Sequence, residues 1–553
     1  MATTAAPPPP PPARVLIIGA GYAGAVCAAA LAAACERDLA KTAASAASAA
    51  SAALAPPPAP PPLLETTLVD PRDHLDSAFT HARGLVEPSI APRALLPFAS
   101  MSALRGVRRV RASVVALTPS EARLSDGASQ PFDYCVVAAG SSYAFGKSAP
   151  SGPATGMAAR LDEINRASEL FLGDQPGAAP PPPTALPPPP RCRRVLVVGG
   201  GPLGVEVAAE LLTDAPRVER VTLVQSSDRL LPALPRRAGR LAQSWLAGSA
   251  RGAGRCRVVL GRRVAAGDPL LLAAEAAMRG EPLPAAAKAA GLTVVGGVVV
   301  APEGGAVAAL ERRAAGAAAG AAAADGAAAA AASGGGDVGQ QSGEDDETVA
   351  YDAAIVATGI LRNTGFLRGG PFAGALAGGG GEEQGAGDKK EASPPGLSPA
   401  GAQAGAVRVD ASLRVAGFSN VFAAGDCTDV PEEKLAFLAS SHGELVADNV
   451  LALARARRAE ALAAAAAVAA AEADPSAAAA RPPAPPAKPP VLRVWKPSLG
   501  MPVAIVTLGR AYAIMCVGPV AAAGWLPTKL KASNLLGFVD KYRVRLGVAE
   551  GAV

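Results

Sequence analysis

Aromatic side chains are scarce in this chain: Phe, Trp and Tyr make up 4% of its 553 residues. Half of the residues are hydrophobic, but much of that half is Ala, which adds little transfer free energy. A core must therefore come from the few segments rich in Val, Leu and Ile. Paired cysteines are also lacking. The seven stand singly, at 27, 35, 135, 192, 256, 427 and 516, with no CxxC or CxxxxC. That excludes a zinc ribbon and a redox-active dithiol, and it makes a reducing compartment the default. Charge of one sign is nearly absent, the net being +5. A concentrated basic face is not expected, and neither is specific nucleic-acid binding. The three histidines, 74, 81 and 442, lack zinc-ligand spacing, and no HExxH or P-loop occurs, so no metal is expected. Met1–Ala13 carries no charged side chain and the second residue is Ala. Neither a presequence nor a myristoylation signal is expected, and the expected location is cytoplasmic.

Gly (60) and Pro (53), by contrast, are abundant. They collect, with Ala, in five low-complexity tracts at 37–62, 174–190, 303–346, 369–405 and 456–490. Some Ala-rich pieces suit helix and the Pro-rich ones suit linkers. Removing these tracts leaves about 394 residues, enough for two full domains and a small third one. Between them, short β-type runs alternate with helical patterns. The runs are Arg14–Ile18, Thr66–Val69, Tyr134–Val137, Arg194–Val198, Val221–Val224, Ala353–Val356 and Val421–Ala423. Such alternation indicates an α/β fold with parallel sheets.

Two of these runs lead into glycine fingerprints. Arg14–Ile18 enters Gly19-Ala20-Gly21-Tyr22-Ala23-Gly24, and Arg194–Val198 enters Gly199-x-Gly201-x-x-Gly204. The first glycine permits a tight turn, the second lets backbone approach a pyrophosphate, and the third lets helix pack on strand. The strand–turn–helix context is the one a dinucleotide needs. It also opposes a membrane span over the uncharged residues 15–35. The first fingerprint requires an acid about 20 residues on for a ribose hydroxyl. Asp70 lies 46 residues after Gly24, and subtracting the tract at 37–62 restores a spacing of 20. In the second fingerprint the equivalent position is Gln225, followed by Ser226, Ser227 and Arg229. An acid would repel a 2′-phosphate and a neutral residue would not, so NADPH is expected to be accepted beside NADH. Further strand ends at Ala139-Gly140, Ala357-Thr358-Gly359 and Gly425-Asp426 follow in the order of a flavoprotein with two nucleotide folds.

With these motifs the chain resembles the FAD-dependent pyridine nucleotide-disulfide oxidoreductase superfamily, in its apoptosis-inducing-factor-like branch, which includes ferroptosis suppressor NAD(P)H:quinone oxidoreductases. Type II NADH dehydrogenases are more distant relatives. The segments 69–98, 197–211, 420–451 and 506–538 carry the likeness. The resemblance implies two Rossmann-like domains, the NAD domain inserted in the FAD domain, plus a small C-terminal α+β domain. The expected boundaries are 1–150 and 371–458 for FAD, 151–370 for NAD(P)H, 459–490 for a linker and 491–553 for the C-terminal domain. It implies FAD, and NADH or NADPH, as cofactors. It places Arg83 on FAD, the backbone of Ala112 (in a strand) at the adenine, and Asp426 at the flavin. It places Glu206 toward the nicotinamide, Lys434 and His442 on the helix after Gly425-Asp426, and Lys531 as a basic C-terminal residue. Glu206, Lys434 and Lys531 are then the catalytic candidates.

Each of these has a plainer alternative: Lys434 and Lys531 as solvated charges, His442 as a packed histidine, Glu206 as a cation's partner. Cys27 and Cys427, beside the flavin motifs, read as structural. The implied reaction carries hydride from NAD(P)H to flavin and two electrons on to a quinone. The C-terminal segment is apolar and then basic, which suits peripheral contact with a cytosol-facing membrane or lipid droplet. Its alternative is a β-meander and helix packed on the FAD domain. Other functional readings are an NAD(P)H-sensing flavoprotein of low turnover, and a reductase for a small carrier protein or radical. The chain is expected to act as a monomer or homodimer.

Overall fold

The computed structural model describes residues 10–49, 61–145, 156–173, 192–248, 253–312, 348–377, 405–473, 489–497, 503–532 and 535–549. The expected linker at 174–190 lies outside the described residues, as do most of the tracts at 303–346 and 369–405 and parts of the other two.

In chain order, β1 (Ala13–Ile18), α1 (Tyr22–Ala49), β2 (Leu64–Val69), β3 (Arg108–Val110) and β4 (Tyr134–Val137) come first. Next are α2 (Met157–Leu172), β5 (Arg194–Val198), α3 (Pro202–Asp214), β6 (Arg220–Gln225), α4 (Arg236–Gly248) and β7 (Cys256–Leu260). Then follow β8 (Thr293–Val295), β9 (Val298–Val300), β10 (Ala353–Val356), β11 (Val421–Ala423) and α5 (Ala436–Ala473). The tail holds β12 (Val503–Thr507), β13 (Ala513–Val517), β14 (Val520–Ala523) and α6 (Leu535–Leu546).

Two sheets organise the molecule. The first runs β11-β4-β1-β2-β3 and is parallel throughout. The second runs β7-β6-β5-β10-β9-β8, with β7 to β10 parallel and the β8–β9 hairpin antiparallel at one edge. In each sheet the strand feeding a glycine fingerprint is flanked by the strand that follows it and by a strand from later in the chain. This is the nucleotide-binding α/β arrangement. The strands are near-continuous Val, Leu and Ile because both faces are covered: Val15, Leu16 and Ile17, and Val195, Leu196 and Val197, are all buried.

The second domain is inserted in the first, and the two chain crossings pair with each other. Ser141–Ser142 and Leu361–Arg362 form a short antiparallel ribbon. The return begins earlier than the expected residue 371. Leu367, Phe372, Ala375 and Leu376 pack with Leu16, Ile18 and Val137 in the first domain's core. The tract expected to start at 37 begins as helix, since α1 continues to Ala49. Likewise α5 runs to Ala473, through the residues expected to open a linker at 459. Alanine's helix propensity accounts for both extensions. The two helices pack together, with Arg455 on Asp38 at 2.9 Å.

The tail does not sit on the FAD domain as one unit. Strands β12–β14 put Val506, Leu508, Ile514, Cys516 and Ala521 into the second domain's core. Helix α6 puts Val539, Tyr542 and Leu546 into the first domain's core. The tail therefore spans both domains.

Candidate active site

Both fingerprints form the same turn. Gly19 and Gly199 have φ of +97° and +107°, a region that L-residues with a Cβ avoid. A Cβ on Gly24 would stand 1.8 Å from the Gly19 carbonyl oxygen, and one on Gly204 would stand 1.8 Å from that of Gly199. Helix and strand can meet only at glycine there. The residue at the end of the next strand braces each turn. Asp70 Oδ2 accepts from the Ala20 N–H at 2.7 Å, and Gln225 Oε1 accepts from the Gly200 N–H at 2.8 Å. The two loops are thus chemical equivalents, with carboxylate in one and carboxamide in the other. Gln225 Nε2 donates to Ser227 Oγ at 2.6 Å. The Arg229 guanidinium donates to the carbonyls of Leu234 and Pro232. Those acceptors are neutral; burial and Arg236 oppose the guanidinium's charge, and neighbouring Asp228 favours it.

One cavity of about 1000 Å³ joins the domains. Gly19, Ala20, Gly21, Tyr22, Ala23, Asp70, Ala139, Gly140, Gly425 and Asp426 line it from the first domain, and Gly201, Glu206 and Gly359 from the second. Lys434 and Lys531 line it too. Gly24, Gly199 and Gly204 stand behind the turns rather than in the wall. Gly21 and Gly201 have nothing within 4 Å where a Cβ would be. At each, open cavity meets bare backbone at a helix start, the cradle a diphosphate requires. The residues present therefore fit an FAD on the first turn and a nicotinamide dinucleotide on the second.

Around Gly425-Asp426 the wall is polar and tightly tied. Asp426 Oδ2 accepts from Ser141 Oγ at 2.7 Å, and Asn363 Nδ2 donates to the Ala139 carbonyl at 3.0 Å. Gly425 N–H donates to His442 Nδ1 at 3.1 Å. That bond puts the ring proton on Nε2, which lies 2.8 Å from the Glu432 carboxylate. Trp495 stands edge-on to the ring at 4.4 Å. His442 is thus a buried post under the turn. Lys434 precedes α5 by two residues instead of lying on it. Its Nζ donates to the carbonyls of Thr428 and Val430 at 3.2 and 3.0 Å. Burial pulls its pKa below the usual lysine range, opposed by Asp426. Leu435, Ala436 and Phe437, at the start of α5, also face the cavity, where the first N–H groups of a helix favour negative charge.

Glu206 and Lys531, 325 residues apart, meet directly. Lys531 Nζ donates to Glu206 Oε1 and to the Ile505 carbonyl, both at 2.8 Å. The same Oε1 accepts from Thr507 N–H at 2.9 Å and Thr507 Oγ1 at 3.0 Å. The tail strand β12 therefore fixes the carboxylate in the wall.

Three further residues expected at the cofactors lie outside the cavity wall. Arg83 is buried away from the cavity and pairs with Glu210 of α3 at 2.7 Å. A buried guanidinium needs a carboxylate, and the short helix His81–Gly84 packs against α3. Ala112 is in the connection after β3, not in a strand, and is outside the cavity wall. Gln225 likewise lies outside the wall. Sequence reading missed several wall residues. His81 bonds Asp76 at 2.6 Å. Burial opposes the charge of Asp76, yet His81 and Arg160 outweigh it and hold the carboxyl well below the usual range. Tyr22, Phe79, Phe538 and Tyr542 form an aromatic wall, with the Tyr22 and Tyr542 rings 4.3 Å apart. Only the partner distances across the chain reveal it.

Among the described residues no cluster of side chains could hold a metal ion, and no helix is long and apolar enough to cross a membrane.

Comparison with known proteins agrees with this construction. Residues 13–249 match the family model described as pyridine nucleotide-disulphide oxidoreductase. Apoptosis-inducing factor homolog A of Dictyostelium discoideum is 25% identical over 177 residues, 30% of this chain and 37% of that protein. Human ferroptosis suppressor protein 1 is 42% identical over 60 residues, 11% of this chain and 16% of that protein. The matches thus span well under half of these relatives. Among solved structures, a Rhodopseudomonas palustris ferredoxin reductase aligns with TM-score 0.43 and 15% identity, over 79% of this chain and 76% of that one. The reduced CoADR-RHD of Bacillus anthracis aligns with TM-score 0.47 and 14% identity, over 97% and 64%. Two glycine turns, a Gly-Asp strand end and the inserted topology come together with the matched family model: over residues 13–249 the chain is similar to the pyridine nucleotide-disulphide oxidoreductases, and over shorter stretches to the apoptosis-inducing factor and ferroptosis suppressor homologues.

Proposed function

We propose that this protein is an FAD-dependent NAD(P)H:quinone oxidoreductase. The observation that carries the reading is the single cavity shared by both phosphate turns, with the Asp426 strand end and the start of α5 between them. When bound, FAD supplies the hydride acceptance and two-electron donation that side chains lack. The chain's own residues bind and orient. The turns at Gly19–Gly24 and Gly199–Gly204 hold the diphosphates, and Asp426, braced by Ser141, closes the flavin end. The Lys434 ammonium and the α5 N-terminus set a positive field at that end. Glu206 and Lys531 hold a fixed ion pair on the nicotinamide side. The aromatic wall of Tyr22, Phe79, Phe538 and Tyr542 offers apolar ring surface of the kind a quinone ring packs on.

The neutral carboxamide of Gln225, with the Arg229 guanidinium four residues on, supports acceptance of NADPH as well as NADH. A preference for NADH above about a hundredfold in kcat/KM, or about 2.7 kcal/mol, would remove that part of the reading. The deciding experiment is NADH and NADPH oxidation with quinones, ferricyanide and oxygen as acceptors, together with rapid-mixing absorbance. Fast reoxidation by a short-chain quinone is expected. A stable charge-transfer band with slow reoxidation would instead indicate a sensor.

A further inference from the structure

The tail presents an apolar tip outside and a cation inside on one short turn. Trp525, Leu526 and Leu530 are 73%, 50% and 46% exposed. Pro527 between them is buried, which anchors the base. The next residue after Leu530 is Lys531, whose ammonium points inward to Glu206 and the Ile505 carbonyl. The turn begins at Gly524, with φ of +140°, a conformation open to glycine and to few others. Exposed Lys529 lies within the turn and exposed Lys541 in α6, and neither forms a salt bridge among the described residues. Lys541 stands over the Phe538 ring at 5.2 Å. Phe437, at the cavity's edge, is 51% exposed.

We propose that the Trp525–Leu530 turn docks on an anionic lipid surface and couples that docking, through Lys531 and Glu206, to nicotinamide binding in the cavity. An exposed Trp and two Leu with unpaired lysines match the apolar interior and negative headgroups of such a surface. The turn is too short to shift without carrying Lys531, and Lys531 is one of three donors on the same carboxylate oxygen. Lipid and NAD(P)H are therefore linked ligands, each altering the affinity for the other. This rests on the functional reading above, which places the nicotinamide beside Glu206.

The test uses the flavin-loaded full chain and vesicles of phosphatidylcholine, with and without phosphatidylglycerol. Co-sedimentation reads docking, and the NADH Kd is read without flavin reduction by using 1,4,5,6-tetrahydro-NADH, which cannot donate hydride, and following the quenching of flavin fluorescence. Vesicles containing phosphatidylglycerol are expected to bind the protein and to shift the NADH Kd by about fivefold or more. Trp525→Ala with Leu526→Ala should lose both effects. Lys531→Met should keep docking and lose the shift. Docking with an unchanged Kd would overturn the coupling alone. A shift that survives in the Trp525 and Leu526 variant, or self-association in place of vesicle binding, would overturn the docking site. Failure of NADH to bind in buffer would overturn both this proposal and the functional reading.

Discussion

Arg83 offers a choice between two roles, and its replacement separates them. The resemblance puts this residue on the flavin, whereas the structure puts it on Glu210 across the domain boundary. Both side chains of the pair are nearly solvent-free, at 6% and 1% exposure. Replacing Arg83 with Met leaves the Glu210 carboxylate buried without its partner. Breaking a buried pair on one side costs about 3–5 kcal/mol. At about 2–4 °C per kcal/mol for a domain of this size, Tm should fall by about 6–20 °C. Replacing both, as Arg83→Met with Glu210→Met, removes the stranded charge and should recover most of the loss. pH provides a second reading. Burial raises the Glu210 pKa above the usual glutamate value, even against Arg83. A raised carboxyl pKa means stability that is present at low pH and lost as pH rises through the folded value. Without Arg83 the pKa should rise further, so the deficit of Arg83→Met should shrink on going from pH 8 to pH 5. Differential scanning calorimetry of the unaltered chain and the two variants at both pH values, with flavin content measured in parallel, is the assay. If Arg83→Met keeps its Tm but loses flavin, the ion-pair reasoning is refuted.

Gly24→Ala should yield protein without flavin, because its Cβ would meet the Gly19 carbonyl oxygen. Gly204→Ala should retain flavin absorbance and lose reduction by NADH, which anaerobic spectra would show. Lys434 has a lowered pKa, so its proton leaves earlier than from an ordinary lysine as pH rises. The rate of flavin reduction should fall on an alkaline limb below the usual lysine range, and Lys434→Met should abolish that limb in a pH profile. Burial pushes the thiols of Cys27, Cys192 and Cys256 up to about 12. Alkylation by iodoacetamide at pH 7.5 should therefore leave activity intact in the native protein, and a rapid loss would point to a reactive thiol.

Much of the architecture was legible because buried parallel strands are written as short uninterrupted apolar runs. The strands at Tyr134–Val137, Arg194–Val198, Ala353–Val356 and Val421–Ala423 begin and end where those runs do. The edge strand Arg108–Val110 carries two exposed arginines and no such run, so it was read as one longer strand that included Ala112. The phosphate turns were legible because a steric demand leaves only glycine at four of their positions. The far ends of α1 and α5 were not, because an alanine tract reads equally as spacer and helix until something packs on it. Contacts such as Glu206 with Lys531 join residues hundreds of positions apart, and no local pattern encodes them. Arg83 was misplaced because a motif position shows that an arginine is present and says nothing about which carboxylate lies opposite.

The ribbon of Ser141–Ser142 with Leu361–Arg362 has a mechanical consequence. Both covalent passages between the domains run side by side and are stitched by hydrogen bonds, so together they act as one flat strap. A strap flexes across its width and resists twisting. The tail adds a third tie, with its strands on one domain and α6 on the other, away from that strap. Rotation of one domain about the strap must then stretch or slide the tail, whose docking on each side becomes the resistance to opening. Cutting the chain between β14 and α6 without removing the pieces should therefore loosen the angle between the domains while leaving each of them folded.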